Sequence, residues 1–365
     1  MTIELRVNGQ PYTQFDSASV GLRLDALSNT FNFQLASQDG NPLPFRGGEA
    51  CEITVDRVKV LTGFIEIVEV DYSGNRHNIS ISGRDKTGDL LDSTLDSISD
   101  LSAPITLKQL IERVISSLGL NIEVIDNLNP DPFNQAEDIA APEPGQNAFD
   151  FLEQYSRKRQ ALLSSNADGN IVITQAQATF VNAPLRNVVG SDTNNIIGGS
   201  VSYDTTGRFN RYKFSSALNA VALNFAGTVS LGDVVSQNGE FTDTDTVLTG
   251  RNRQLILIAE EGFSNAQNQA RAQWEANIRK ARSRVYSVVV NGFRNAQNAL
   301  WNTNTLISIV GSFAGINARM LINNATFNFD LETGSTTTLG FVNENAYTLT
   351  LEEPRVETIG AGLFG

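Results

Sequence analysis

Residues 2–7 set Ile3, Leu5 and Val7 in strict alternation with Thr2, Glu4 and Arg6, and Asn8-Gly9 follows at once. A two-residue apolar period puts the hydrophobic side chains on one face of an extended chain, and Asn-Gly is the strongest short hairpin signal, so a half-buried strand enters a tight turn here. The period returns in Phe31, Phe33 and Leu35, in Cys51, Ile53 and Val55, and in Ile79 and Ile81 after the Ser73-Gly74-Asn75 turn. Phe64 to Val70 is apolar more continuously and predicts a strand buried on both faces. Short strands separated by turns predict a small antiparallel barrel or sandwich.

After the polar, glycine-punctuated run Ser82–Asp89 the period changes. Thr106 and Gln109 form a capping box, Leu107, Leu110, Ile111, Val114, Ile115 and Leu118 make one apolar face, and Gly119 stands where a helix ends. A short strand at Ile122 and Val124 leads into a Pro- and acid-rich loop from Asn129 to Gly145. A second helix, opened by Asn147, carries Phe149, Leu152 and Tyr155. Leu162-Leu163 and Ile171–Ile173, on either side of the Asn166–Asn170 turn, predict a hairpin.

Strand patterns resume with Tyr212–Phe214, Leu255–Ile258, Val285–Val290, Leu306–Val310, Met320–Phe329 and Thr336–Phe341. One helix interrupts them. Ser264 and Gln267 form its capping box, Ala266, Ala270, Trp274, Ile278 and Ala281 its narrow apolar stripe, and Arg279, Lys280, Arg282 and Arg284 crowd its C-terminal end. Residues 215–253, rich in Ser, Asn, Gly and Thr, read as a long loop system. The resulting class is mainly β with an α+β insert. Residues 1–102 form a first β-barrel completed by about 177–200, 103–176 the insert, 201–350 a second barrel interrupted by the helix at 264–284, and 351–365 a tail.

Composition narrows the chemistry. With one His and one Cys among 365 residues, no His cluster, internal disulfide or CxxC pair exists. A formal charge of -13, from 40 Asp and Glu against 27 Lys and Arg, sets the overall field against nucleic acid and anionic membrane. The N-terminus lacks a signal-peptide pattern and no apolar run is long enough to span a bilayer, so a soluble protein made in the cytoplasm without a membrane anchor is expected.

Individual candidates carry little. His77 follows a tight turn and is expected at a solvent-facing strand edge; Cys51 alternates with core residues and reads as one of them. Asp168 with Asn166 and Asn170 imitates the start of a calcium loop but lacks its last carboxylate. Asp243, Asp245, Glu260 and Glu261 are the nearest approach to a hydrolytic carboxylate pair. The arginines after Ile278 fit helix-end charges or an oligomer contact better than a nucleic-acid patch. The terminal Gly360–Gly365 matches GxGxxG with no helix after it. No cofactor and no catalytic residue is expected.

The run Ser82-Gly83-Arg84-Asp85-Lys86-Thr87-Gly88-Asp89-Leu90-Leu91-Asp92, a GRDKT-x-DL-[LI]-D pattern between a β-rich domain and a helix, resembles the Mu-like bacteriophage baseplate hub family, also called phage tail or late-control proteins. The resemblance extends through Leu5–Gly9, Leu61–Ile65, Ser156–Arg159, Leu163–Gly169 and Ile256 to Glu260. It implies two tail-tube-like barrels per subunit with peripheral helix-containing subdomains, and a homotrimeric ring that adapts the sixfold tail tube to the threefold central spike. Its expected partners are itself, the tail tube or tube-end protein, the spike and other baseplate proteins, with DNA only as passing cargo. The expected location is the virion tail baseplate. Gly83, Arg84, Asp85, Lys86, Thr87 and Asp89 would be structural, not catalytic. Two other readings compete: a carboxylate-based cell-wall hydrolase and a receptor-binding protein of the particle tip.

Overall fold

The computed structural model describes residues 1–36, 46–73, 76–98, 101–133, 139–176, 179–218, 221–223, 229–231, 235–245, 248–259 and 265–344. It divides into two compact units, Met1–Ser200 with Ser287–Phe341 and Val201–Tyr286 with Val342–Gly365.

The first unit opens with β1 (Ile3–Val7), β2 (Gln10–Tyr12), β3 (Ser17–Arg23), β4 (Thr30–Ala36), β5 (Ala50–Val55), β6 (Val58–Ser73) and β7 (Arg76–Asp85). Asn8 and Gly9 both take positive φ, 50° and 80°, the left-handed pair that a two-residue hairpin between Val7 and Gln10 requires. Ile3, Leu5, Val7, Phe31, Phe33, Ile53, Val55, Ile79 and Ile81 are buried, as their alternation demands. Phe64–Val70 departs from expectation, because Ile67 is 52% and Val70 54% exposed. β5 accompanies β6 only as far as Phe64, and a register shift between Ile65 and Ile67 carries the rest of β6 outward beside β7.

The insert comprises α1 (Gly88–Asp92), α2 (Leu107–Ser117), β8 (Val124–Asp126), α3 (Ala148–Lys158), β9 (Leu162–Ser165) and β10 (Ile171–Thr174). The Thr106 hydroxyl accepts from Gln109 N–H at 3.2 Å while the Gln109 side chain accepts from Thr106 N–H at 2.9 Å. Gly119, at φ 66°, turns the chain so that Leu120 N–H donates to Ile115 O and Gly119 N–H to Ser116 O, which satisfies the last carbonyls of α2. The Asn147 side chain caps α3 by accepting from Phe149 and Asp150 N–H. The apolar faces of both helices meet Phe133, Ile171 and Ile173 in one core that also takes in Leu27, Leu90 and Leu95.

Next come β11 (Thr179–Phe180), β12 (Leu185–Asn187) and β13 (Ile196–Tyr203). The second unit holds β14 (Arg211–Leu218), β15 (Val221–Leu223), β16 (Val229–Leu231), β17 (Val235–Thr242), β18 (Gln254–Ala259) and α4 (Asn265–Arg282). The chain closes with β19 (Arg284–Asn291), β20 (Thr305–Gly311), β21 (Ile316–Asp330) and β22 (Gly334–Asn343). The large sheet runs β13-β19-β22-β21-β3-β4-β7-β6-β5-β1-β2, with β20 also beside β21 and with β11 and β12 parallel to β20. Strand pairing thus cuts the 201–350 block drawn from the sequence. β20 to β22 lie in the large sheet, joined to the N-terminal strands by seven antiparallel pairs from Asn324↔Arg23 to Asp330↔Ser17. β14, β17 and β18 form a separate sheet. Alternation marks a strand but not its neighbour, so periodicity does not reveal that division. The excursion between β13 and β19 leaves and returns at adjacent strands, and within the second unit Asp204 N–H donates to Ser283 O at 2.7 Å.

In the second unit β14 lies between antiparallel β17 and parallel β18. The expected loop system at 215–253 therefore contains an eight-residue strand in full register with β14. Asn238, Glu240 and Thr242 are exposed strand positions, and Ser215 Oγ meets Asn238 Oδ1 at 2.8 Å. α4 packs Ala272 and Ala276 on Tyr212 and Phe214. Trp274 and Ile278 of the expected stripe are buried, Ala270 is half-buried and Ala266 exposed; the Ser264–Gln267 box and the Ala281 side chain lie outside the described residues. Small residues face the sheet because the helix backbone meets it directly: a Cβ on Gly239 would lie 2.0 Å from Gln269 N. Gly239→Ala is expected to push α4 off β17 and cost about 1–3 kcal/mol, read as a lower urea midpoint of Trp274 fluorescence in a Trp301→Phe background.

Candidate functional site: the Gly83–Asp89 junction

β7 delivers Gly83, Arg84 and Asp85 to the edge of the insert, and α1 starts three residues later. Asp85 is 1% exposed. Its carboxylate accepts from Ser28 Oγ at 2.9 Å, Asn29 N–H at 2.9 Å, Thr87 N–H at 3.2 Å and the hydroxyl of Ser165. The Thr87 hydroxyl lies between Asp85 Oδ1, at 2.5 Å, and Leu27 O, at 2.8 Å. Asn29 is equally engaged: its Oδ1 accepts from Arg23 N–H at 2.9 Å, its Nδ2 donates to Ser165 Oγ at 2.8 Å, and its carbonyl accepts from Asp85 N–H at 3.1 Å. One buried carboxylate thus gathers the β3–β4 loop, the end of β7 and β9 of the insert. Burial pushes its pKa up, against the pull of Ser165, Thr87, Asn29 and Ser28.

The rest of the motif braces this centre. Arg84 reaches Glu66 at 2.7 Å and pairs with Asp92, whose hydrogen bond holds the Arg84 pKa above its ordinary value and the Asp92 carboxyl below its own. Burial raises Asp89, in the first turn of α1, with Glu66 adding to it. Lys86 N–H donates to Thr62 O at 3.1 Å, and Thr62 Oγ donates to Ala167 O at 2.8 Å. The Asn166–Asn170 turn rests on this pair: a Cβ on Gly169, at φ 69°, would lie 2.5 Å from Thr62 O and 2.9 Å from Lys86 Cε. Gly83 and Gly63 are required where β6 and β7 touch, since a Cβ on either would fall 2.1 Å from Phe64 O or 1.9 Å from Arg84 O.

The other candidates fall elsewhere. Asn166 Oδ1 accepts from Asp168 and Asn170 N–H, and Asp168 pairs with Lys59, which lowers its pKa, so this is a hairpin turn. Cys51 is buried, and burial pushes its thiol up to about 12. His77, expected at a solvent-facing edge, is half-buried opposite Tyr72. Asp243 and Asp245 face the completely buried Arg208 at 2.6 and 3.1 Å, and Lys280 approaches Asp245 at 3.3 Å. These carboxylates are neutralised. Arg279 is spent on Glu275, at 2.7 Å, and Gly207 O. Glu260, Glu261 and the terminal Gly360–Gly365 lie outside the described residues. Beside the junction a cleft of about 360 Å³ is lined by Arg23, Asn29, Lys59, Ser165, Asn166 and Trp301 among others, with no carboxylate among the described residues of its wall. Sequence reasoning missed Ser28, Asn29 and Arg208, which stand in no motif.

Three family models match successive stretches: "Mu phage baseplate assembly protein GpP-like, N-terminal" over residues 2–85, "Baseplate hub protein gp44-like, second domain" over 87–175, and "Mu phage baseplate assembly protein GpP, fourth domain" over 264–350. The first two meet at the Asp85–Thr87 junction. The chain is 24% identical to the baseplate hub protein gp44 of Escherichia phage Mu over 364 residues, 97% of this chain and 91% of that one. The 43 kDa tail protein of prophage MuSo2 from Shewanella oneidensis superposes with a TM-score of 0.78 at 27% identity, over 94% of this chain and 99% of that one. A tail protein from Neisseria meningitidis MC58 gives a TM-score of 0.77 at 18% identity over 95% and 98%. A motif that welds the first domain to the second, two domain models that abut on it, and relatives matched almost end to end place this chain in the Mu-like baseplate hub family, as a hub protein of a phage tail.

Proposed function

We propose that three copies of this chain form the hub ring of a contractile tail, with the tail tube or tube-end protein on one side and the central spike on the other. The observation that carries the reading is the antiparallel junction of β21 with β3, which sets two groups of strands side by side in one sheet. Each group, β1–β7 and β19–β22 with β11–β13, supplies one tube-like barrel, so one chain fills two consecutive positions and three chains fill six. The ends of the sheet, β2 and β13, are the edges left for neighbouring copies, and ring closure removes them from solvent.

In this reading Gly83, Arg84, Asp85, Lys86, Thr87 and Asp89 are a structural weld and the protein is not an enzyme. The donors around Asp85 are spent on holding three segments together, and among the described residues the adjacent cleft has no acid–base pair. Other baseplate proteins bind the ring from outside, and DNA passes through it as cargo. The expected solution mass is three times 39.6 kDa. Mass photometry showing a monomer, both alone and with the cognate tube and spike proteins, would overturn the ring.

A further inference from the structure

The two strand groups of the large sheet repeat one design. β3, β4, β7, β6, β5 and β1 follow one another by hydrogen bonding, and β13, β19, β22, β21, β20 and β12 follow in the same order. β5, β6 and β7 have 6, 16 and 10 residues; β20, β21 and β22 have 7, 15 and 10. In each group the long strand loses its first partner at its middle. β21 runs beside β20 over residues 316–322 and then beside β3 of the other group over residues 324–330. β6 runs beside β5 as far as Phe64, and residues 67–73 have no strand on that side among the described residues. The difference shows in burial. Ala325 and Phe327 of β21 are completely buried beside β3. At the same distances from the end of β6 stand Val68 and Val70, with Tyr72 after them. Val68 pairs with Ile81 and Val70 with Ile79, so all three share the face of those core residues, yet Val70 is 54% and Tyr72 81% exposed.

The counterpart of β3 in the second group is β13, which ends the sheet. Ile196–Tyr203 holds no charged residue and no Pro to guard that edge. Alternation puts Ile197, Gly199, Val201 and Tyr203 on one face, where Ile197 is 62% exposed. We propose that residues 67–73 of one copy pair antiparallel with β13 of the next, as residues 324–330 pair with β3 inside the chain. This seam rests on the ring of three copies and gives that ring its contact between chains. The same correspondence sets the register. Asp204 N–H donates to Ser283 O, and counting back along β13 and β19 from this bond brings Val201 opposite Tyr286, the first core residue of β19. Val20 is likewise opposite Phe31, the first core residue of β4, and Phe327 is opposite Val20 in the internal junction. Val70 therefore falls opposite Val201. Tyr72 then covers Gly199, Val68 meets Tyr203, and Asp71 meets Ser200 on the other face. A slip of one residue would set Glu69 or Asp71 against Val201.

Cysteine pairs in the full chain test the seam. Cys51→Ala removes the single native thiol. Asp71→Cys is then combined in turn with Ser200→Cys, Gly198→Cys or Ser202→Cys; both serines are exposed, and a Cβ on Gly198 meets open space. Directly opposed residues have Cα atoms about 4.5–5.5 Å apart, within reach of a disulfide, whereas diagonal neighbours stand about 7–8 Å apart. The 71–200 pair is expected to oxidise between chains to a covalent trimer on non-reducing electrophoresis, severalfold beyond the other two. Equal yields at the three positions, a disulfide within one chain, or a trimer that forms without the 71–200 bond would each overturn this pairing and leave the ring standing. Val70→Asp with Tyr72→Asp is a second measure that does not depend on cysteine geometry. Both side chains are exposed in the single chain, so its urea midpoint is expected to hold. Self-association by mass photometry is expected to weaken at least about tenfold, because the seam would bury two unpaired charges. A trimer indifferent to both aspartates would also refute the pairing. A monomer even with the cognate tube and spike proteins would overturn the ring itself, and the seam with it.

Discussion

Asp85→Ala is expected to lower the unfolding free energy by about 3–5 kcal/mol, the largest effect of any single change at the junction. The alanine leaves the hydroxyls of Ser28 and Ser165 and the N–H groups of Asn29 and Thr87 facing a dry gap. Each unsatisfied buried donor costs about 1–3 kcal/mol, and relaxation or an entering water recovers part of the sum. Urea unfolding followed by Trp301 gives the total, and amide exchange in β9 is expected to accelerate first because the carboxylate holds that strand from outside the insert. A loss below about 1 kcal/mol would mean that the donors find other partners and Asp85 is not the weld.

The same residue sets a pH signature. The folded pKa of Asp85 is raised above its unfolded value, so between those two values the folded chain binds more protons than the unfolded one. Its contribution to stability is therefore complete below the unfolded pKa and declines as pH rises through the folded one. Asp92 and Asp168 have lowered pKa values and act in the opposite sense, losing their contribution as pH falls below the ordinary carboxylate range. Asp85→Asn is expected to remove only the first slope. Identical stability-versus-pH curves for Asp85→Asn and the unmodified chain would contradict this assignment.

The second large effect is expected in the other unit. Arg208→Met leaves Asp243 and Asp245 buried without its guanidinium, with Lys280 still beside Asp245, and breaking a buried ion pair from one side costs about 3–5 kcal/mol. The penalty arises from the stranded charges, so adding Asp243→Asn and Asp245→Asn is expected to recover more than half of it. The chain has two tryptophans, with Trp274 in the second unit and Trp301 in the first. Single-tryptophan variants therefore report the two units separately, and the Trp274 transition is expected to move while the Trp301 transition stays. Equal shifts in both would show that the two units unfold as one.

What the sequence disclosed divides along physical lines. Thr106 with Gln109, Gly119, Asn147 and Asn8-Gly9 act through bonds that close within a few residues, and each does in the structure what its spacing predicts. The Asp85 motif was visible as a string, but its partners Ser28, Asn29 and Ser165 lie 57, 56 and 80 residues away. Nothing local marks them. The distal part of β6 reads as core because its residues are apolar, yet burial depends on where β5 stops. β17 reads as loop because Ser, Asn and Gly serve both loops and the outer face of a sheet, and Gly239 is there for a helix thirty residues on. Ala272 and Ala276 stand outside the stripe read from the sequence, yet they make the contact of α4 with Tyr212 and Phe214, where small size is what the contact needs.

The excursion between β13 and β19 departs and returns at neighbouring strands, with Asp204 bonded to Ser283 across its neck. An insertion with touching ends has its closure held by the host sheet, and lengthening it adds only about 0.6 kcal/mol per doubling. Such an excursion can be lengthened or shortened without re-registering a single pair of the large sheet. Most of it, residues 176–263 counted with their approach, falls between the stretches that the family models match. A change of length confined to residues 204–263 would thus leave every pair of the large sheet in register.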